Sequence, residues 1–102
     1  MIPFDTKNII YLQAENKRCY VVTTSGYFTV YRSLTDLTKE LPESQFFRTH
    51  RSTTVNMAFI KSVAENSITM ENGNVLPLSR HRSKSFLDTF SYYISHKRKS
   101  SV

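Results

Sequence analysis

Arg48-Thr49-His50-Arg51-Ser52 is an unbroken run of chemically capable side chains, introduced by Phe46-Phe47 and closed by the β-prone Thr53-Thr54-Val55-Asn56. Arginine, histidine and serine in a row between strands present donors outward from a connecting loop. Such donors suit phosphate oxygens and the acceptor edge of guanine. By residue type alone the stretch reads first as a solvated turn and second as a binding loop. Ser79-Arg80-His81-Arg82-Ser83 is a second cluster, and Glu15-Asn16-Lys17-Arg18 a third, the latter an ordinary polar bend between apolar strands. Nucleophilic catalysis is a poor fit. His50 with Ser52, or Cys19 with His81, lacks a carboxylate in a comparable motif to orient the imidazole, and Cys19 sits in a strand-like run beside Tyr20 and Val21. His50, His81 and His96 lack metal-ligand spacing and cysteine partners. No catalytic residue, metal or cofactor is expected.

Charge narrows the partner. The net charge is +6 and the pI near 9.7. Residues 1–79 hold eight Lys/Arg against seven Asp/Glu, while residues 80–102 hold six (Arg80, Arg82, Lys84, Lys97, Arg98, Lys99) against Asp88 alone. A basic pole on a near-neutral body suits a polyanion, either nucleic acid or an anionic membrane surface. The polar cations of the tail lack the apolar face that membrane binding would use. An RNA-binding or anionic-surface module is the alternative to duplex recognition. Sheet-based RNA binding stacks bases on exposed aromatics, whereas the aromatics here mostly alternate or follow a helix face, as core residues do.

The elements that must position these clusters are mostly strands. β-prone runs cover Asn8 to Gln13, Cys19 to Thr24, Tyr27 to Tyr31, Phe46 to Arg48, Thr53 to Asn56, Ile60 to Val63, Ile68 to Met70 and Val75 to Leu78. Ser25-Gly26, Glu65-Asn66 and Asn72-Gly73 punctuate them, and Asn-Gly is a strong hairpin signal. Two helices interrupt. Ser33 caps a short one carrying Leu34, Leu37 and Leu41 on one face, with Asp36 completing a capping-box variant and Pro42 ending it. Phe86, Leu87, Phe90, Tyr93 and Ile94 describe an amphipathic helix from about Ser83 to Ile94, a stripe expected to pack in the core. Ser79 or Ser83 is its candidate cap. Arg80 and Arg82 beside its start are better placed for phosphate than for the helix dipole.

At 102 residues with 39% hydrophobic content, the chain fits one domain. That domain is expected over residues 1–95, followed by a basic tail, 96–102, expected to be disordered. Met1-Ile2-Pro3-Phe4-Asp5 lacks the layout of a signal peptide, no apolar run would span a bilayer, and Cys19 is the single cysteine. A cytoplasmic location follows as the expectation.

Together the three clusters form a pattern. Ile10-Tyr11-Leu12-Gln13-Ala14-Glu15-Asn16-Lys17 resembles the opening strand and first loop of LytTR DNA-binding domains. Phe46-x-Arg48-x-His50-Arg51-Ser52-x-x-Val55-Asn56-x-x-x-Ile60 resembles the central motif of that family, and Asn72-Gly73-x-x-Leu76-Pro77-Leu78-Ser79-Arg80 its closing hairpin and helix start. The resemblance runs from about Lys7 to Ile94. It implies short strands in stacked antiparallel sheets, with one central and one C-terminal helix. It also implies transcriptional control by two copies on paired direct repeats in double-stranded promoter DNA, read by loops in the major groove. Carried over by position, Arg18, Arg51 and Arg80 are the expected base readers. Lys17, Ser52, Ser79 and Arg82 are the expected phosphate contacts, and His50 either supports its loop or touches phosphate. Thr53-Thr54 departs from the bulkier residues usual there, so the strand after the central loop is expected to be less buried. The family usually carries an N-terminal receiver domain, and this sequence, without an acidic phosphorylation pocket, is expected to be either a stand-alone regulator or the DNA-binding part of a longer one.

Overall fold

The computed structural model describes residues 5–100, with side chains through 97. Eight strands form two antiparallel sheets. β1 (Ile9–Glu15), β2 (Arg18–Thr23), β3 (Gly26–Val30), β4 (Phe46–His50) and β5 (Thr53–Asn56) make a five-stranded sheet of order β3-β2-β1-β5-β4. β6 (Ile60–Val63), β7 (Ser67–Met70) and β8 (Val75–Pro77) make a three-stranded meander. α1 (Leu34–Lys39) crosses between β3 and β4, and α2 (Arg80–Ser100) closes the chain. The mostly β architecture expected from the sequence is the one observed.

Each face of the larger sheet has its own core. Leu34, Leu37 and Leu41 of the α1 segment pack with Ile9, Leu12, Cys19, Val21 and Phe46. Ile10, Tyr11 and Val55 face the other way, against Ile68, Met70, Leu76, Leu78 and Phe86. The central β1 is covered on both sides, which is why Ile9 through Leu12 are all buried rather than alternating. A bulge between Ile9 and Tyr11 puts Ile10 and Tyr11 on the same face. Ser33 accepts from the Asp36 N–H at 3.1 Å and caps α1 as its sequence indicates. Gly73, at φ +92°, turns the β7–β8 hairpin in a conformation most side chains resist.

Three expectations are corrected. Thr53 and Thr54 are wholly buried, because β5 is an interior strand and hydroxyl partners are at hand: Thr38 Oγ1 lies 2.8 Å from Thr54 Oγ1. α2 outruns its apolar stripe and continues to Ser100, so His96 and Lys97 extend a helix where a disordered tail was expected. Tyr92 and His96 stack at 3.6 Å and the Lys97 ammonium lies 6.0 Å from the Tyr93 ring centroid, contacts that hydropathy patterns do not register. Ser101 and Val102 fall outside the described residues. Finally, several aromatics are not core residues. Tyr27, on the edge strand β3, is 68% exposed, and Tyr31, in the groove beside α1, is 77% exposed.

Candidate nucleic-acid interface

The three polar clusters of the sequence meet at one end of the five-stranded sheet, joined through the backbone. The Ala14 N–H, just before the β1–β2 turn, donates to the Ser52 carbonyl at 2.8 Å. The Ser79 N–H, just before α2, donates to the Thr49 carbonyl at 2.8 Å. The β4–β5 turn therefore lies between the first hairpin and the helix start and is fixed to both.

Local geometry explains how each turn presents its side chains. Asn16 and Lys17 take φ of +49° and +66°, the two left-handed positions of a primed hairpin turn. Glycine is the comfortable residue at the second position; Lys17 holds it with strain, and its side chain projects from the tip. Lys17→Gly is therefore expected to raise stability by up to about 1 kcal/mol while lowering affinity for cognate and scrambled duplexes alike. Thermal melts and duplex titrations on the same samples check both halves, and a selective cognate loss would reassign Lys17 to base reading. The β4–β5 turn works differently. Neither Arg51 nor Ser52 has positive φ, and a bulge at Thr49 supplies the twist, pairing Arg48 with Thr54 and His50 with Thr53.

His50 lies at the end of β4 rather than in a loop. Its Nδ1 accepts from the Ser52 N–H at 3.2 Å and lies 2.8 Å from Ser52 Oγ. Accepting at Nδ1 puts the proton on Nε2, leaving an N–H to donate outward. His50 thus braces the turn, the first of the two roles that its sequence left open.

Two grooves flank the turn. Lys17, Arg18, Arg32, Arg48 and Arg51 line the one between the first hairpin and α1, with Glu15 as its acid. His50, Arg51, Ser79, His81 and Arg82 line the other. Arg51 belongs to both and is exposed on the ridge between them. Arg32 is paired with Glu40, whose carboxyl the Arg32 hydrogen bond holds down at about 2. Arg18 stands half-buried with its guanidinium 5.9 Å from the Tyr20 ring centroid.

Arg80 and Arg82 divide at the helix start. Two positions along a helix are separated by about 200°, so the two side chains leave opposite sides of the axis. Arg82 lines the groove with Arg51; Arg80 is exposed and stands outside both groove walls. Ser79 occupies the cap position, its carbonyl accepting the Arg82 N–H at 3.1 Å, and Ser83 lies inside the first turn. That turn carries no acidic residue, so its free N–H groups and neighbouring cations favour an anion.

Arg48 was not among the site residues expected from the sequence. It donates to Thr35 Oγ1 of α1 at 2.7 Å and to the Arg51 carbonyl, fastening the turn to the helix. Burial, then the nearby Arg82 charge, push its guanidinium below its ordinary range. The one signal in the sequence was a cation inside a strand between residues destined for burial; its partner Thr35 lies thirteen residues away. Cys19 takes no part in this end of the molecule: burial raises its thiol to about 11, which keeps it protonated in the core. Among the described residues no group of three or more His, Cys, Asp or Glu side chains gathers to hold a metal, and no helix is long and apolar enough to cross a membrane.

Comparison with known proteins agrees with this geometry. The family model described as the LytTr DNA-binding domain matches residues 1–91. The sensory transduction protein LytT of Bacillus subtilis (strain 168) is 36% identical over 85 residues, covering 78% of this chain and 35% of LytT. The transcriptional regulatory protein NatR of the same organism is 36% identical over 55 residues, covering 54% of this chain and 24% of NatR. The chain thus aligns with only about a quarter to a third of the length of these relatives. A solved LytTr DNA-binding domain from Bacillus cereus superposes with a TM-score of 0.78 at 30% identity, covering 86% of this chain and 85% of its own. In sequence, in fold and in the placement of its three motifs, this chain belongs to the LytTR family of DNA-binding domains.

Proposed function

We propose that this domain regulates transcription by reading paired direct repeats in promoter DNA, two copies to a site, through loops set into the major groove. The observation that carries the reading is the convergence of three basic segments around Arg51, each tied to the next by a backbone hydrogen bond. Arg18 and Arg51 read base edges, since the planar guanidinium fork matches the O6 and N7 acceptors of guanine, and Arg80, exposed outside both grooves, is assigned the same role by its place in the closing motif alone. Lys17, His50, Ser52, Ser79 and Arg82 hold phosphates and so fix register. No helix serves as the reader: α2 offers only its first turn to this end. In a longer protein, a receiver domain preceding this one in the cytoplasm would supply the signal.

Selection of bound duplexes from a random pool tests the reading. A recovered pair of direct repeats, spaced by about one or two helical turns, is the expected result. Recovery of unrelated sequences, or of isolated half-sites only, would contradict paired-repeat reading. Salt offers an independent check. With on the order of four to six phosphate contacts per domain, log affinity should fall against log salt with a slope of roughly −4 to −5. Affinity that stays flat would remove the electrostatic part of the reading.

A further inference from the structure

The face of the larger sheet that the meander leaves uncovered holds a cleft of about 540 Å³, well apart in character from the basic grooves. Tyr20 and Tyr27 stand in its wall edge to face, ring centroids 5.9 Å apart, and the buried Tyr11 closes it from beneath. Gln13, Asn72 and Asn74 complete it with amides, and among the described residues no acid lines it. Asn72 is in use, its Oδ1 accepting the Asn74 N–H at 3.0 Å. Burial raises the Tyr11 phenol, which keeps it a protonated donor.

The exposed Tyr27 ring and the half-buried Tyr20 ring beside amides suit a planar heterocycle: stacking on the rings, and paired donors and acceptors for its edge.

We propose that this cleft binds an unpaired nucleobase, stacked on Tyr27 and Tyr20 and hydrogen-bonded by Gln13 and Asn74. The proposal stands on the cleft and goes beyond the reading of duplex DNA. Its ligand is either a free nucleotide or one residue of a single strand, which share this chemistry.

The test is titration of the full chain with adenosine monophosphate, uridine monophosphate and a short single-stranded oligothymidylate, followed by NMR at the Gln13 and Asn74 side-chain amides and the Tyr20 and Tyr27 rings. Saturable shifts at these groups are expected. Tyr27→Ala should weaken binding about fivefold or more, while Tyr27→Phe, which keeps the stacking ring, stays near the original value. Tyr27 lies on an edge strand at 68% exposure, so its melting temperature should hold; Asn74→Ala, in the exposed β7–β8 loop, tests the same cleft if it does not. Binding of the monophosphates identifies a free nucleotide as the source, and binding of the oligothymidylate alone identifies a single strand. No saturable shift with any probe would overturn the proposal, as would shifts that neither Tyr27→Ala nor Asn74→Ala weakens. Shifts that arise on raising protein concentration alone would overturn it in favour of a second copy. Duplex binding by Tyr27→Ala, measured alongside, should stay unchanged, so failure here and failure of the duplex reading separate.

Discussion

Replacing Phe86 with alanine is expected to cost about 3–5 kcal/mol, a large share of what holds a domain of this size together. Phe86 is wholly buried in the core between the two sheets and α2. Its ring meets Phe47 edge to face at 5.5 Å and stacks on Phe90 at 5.5 Å. Truncation removes the transfer free energy of the ring and leaves a cavity that two strands and a helix close only in part. Phe86→Leu, which refills much of the space, should cost far less. Chemical denaturation of both variants checks the ordering. Near-native stability of Phe86→Ala would mean that α2 is not anchored on β4 through this residue. That matters for function, because the same anchor holds the first turn of α2 beside the β4–β5 turn.

The second large effect concerns recognition. Arg51→Ala is expected to cost about 1–3 kcal/mol of affinity for the cognate duplex, with a smaller loss on scrambled DNA. The side chain is exposed, and the bond that Arg48 makes to this residue goes to the backbone carbonyl, which alanine keeps. Melting temperature should therefore hold. Arg51→Lys should recover only part of the loss, since it restores charge without the planar fork. Equal losses on cognate and scrambled duplexes would make Arg51 a phosphate contact. No loss on either would show that the binding face lies elsewhere.

What the sequence revealed and what it concealed follow from the range of the forces involved. Every strand was visible, because β-branched and aromatic runs bounded by turn residues are local signals. The α1 cap was visible for the same reason, Ser33 and Asp36 lying within one turn. Burial of Thr53 and Thr54 was not, since it depends on β5 being an interior strand and on Thr38 arriving from α1. Arg48 was hidden likewise by the distance to Thr35. The full length of α2 was hidden because His96 and the residues beyond it carry no apolar stripe. The exposure of Tyr27 reflects the edge position of β3, which no pattern within that strand reports. For the site, residue types and order were available in the sequence, whereas the sharing of Arg51 between two grooves needed the fold.

The measurement that bears most directly on the interface is amide chemical-shift mapping of the chain as a selected duplex is added. The expected result is a continuous patch: Lys17 and Arg18 at the first turn, His50 through Ser52 at the central turn, and Ser79 through Arg82 at the start of α2. The β7–β8 turn at Asn72 and Gly73, which lies with the β2–β3 turn at the other end of the strands, should remain unperturbed. A patch centred on that β7–β8 turn or on the far half of α2, with the three basic segments silent, would contradict the assignment of this end of the molecule to DNA.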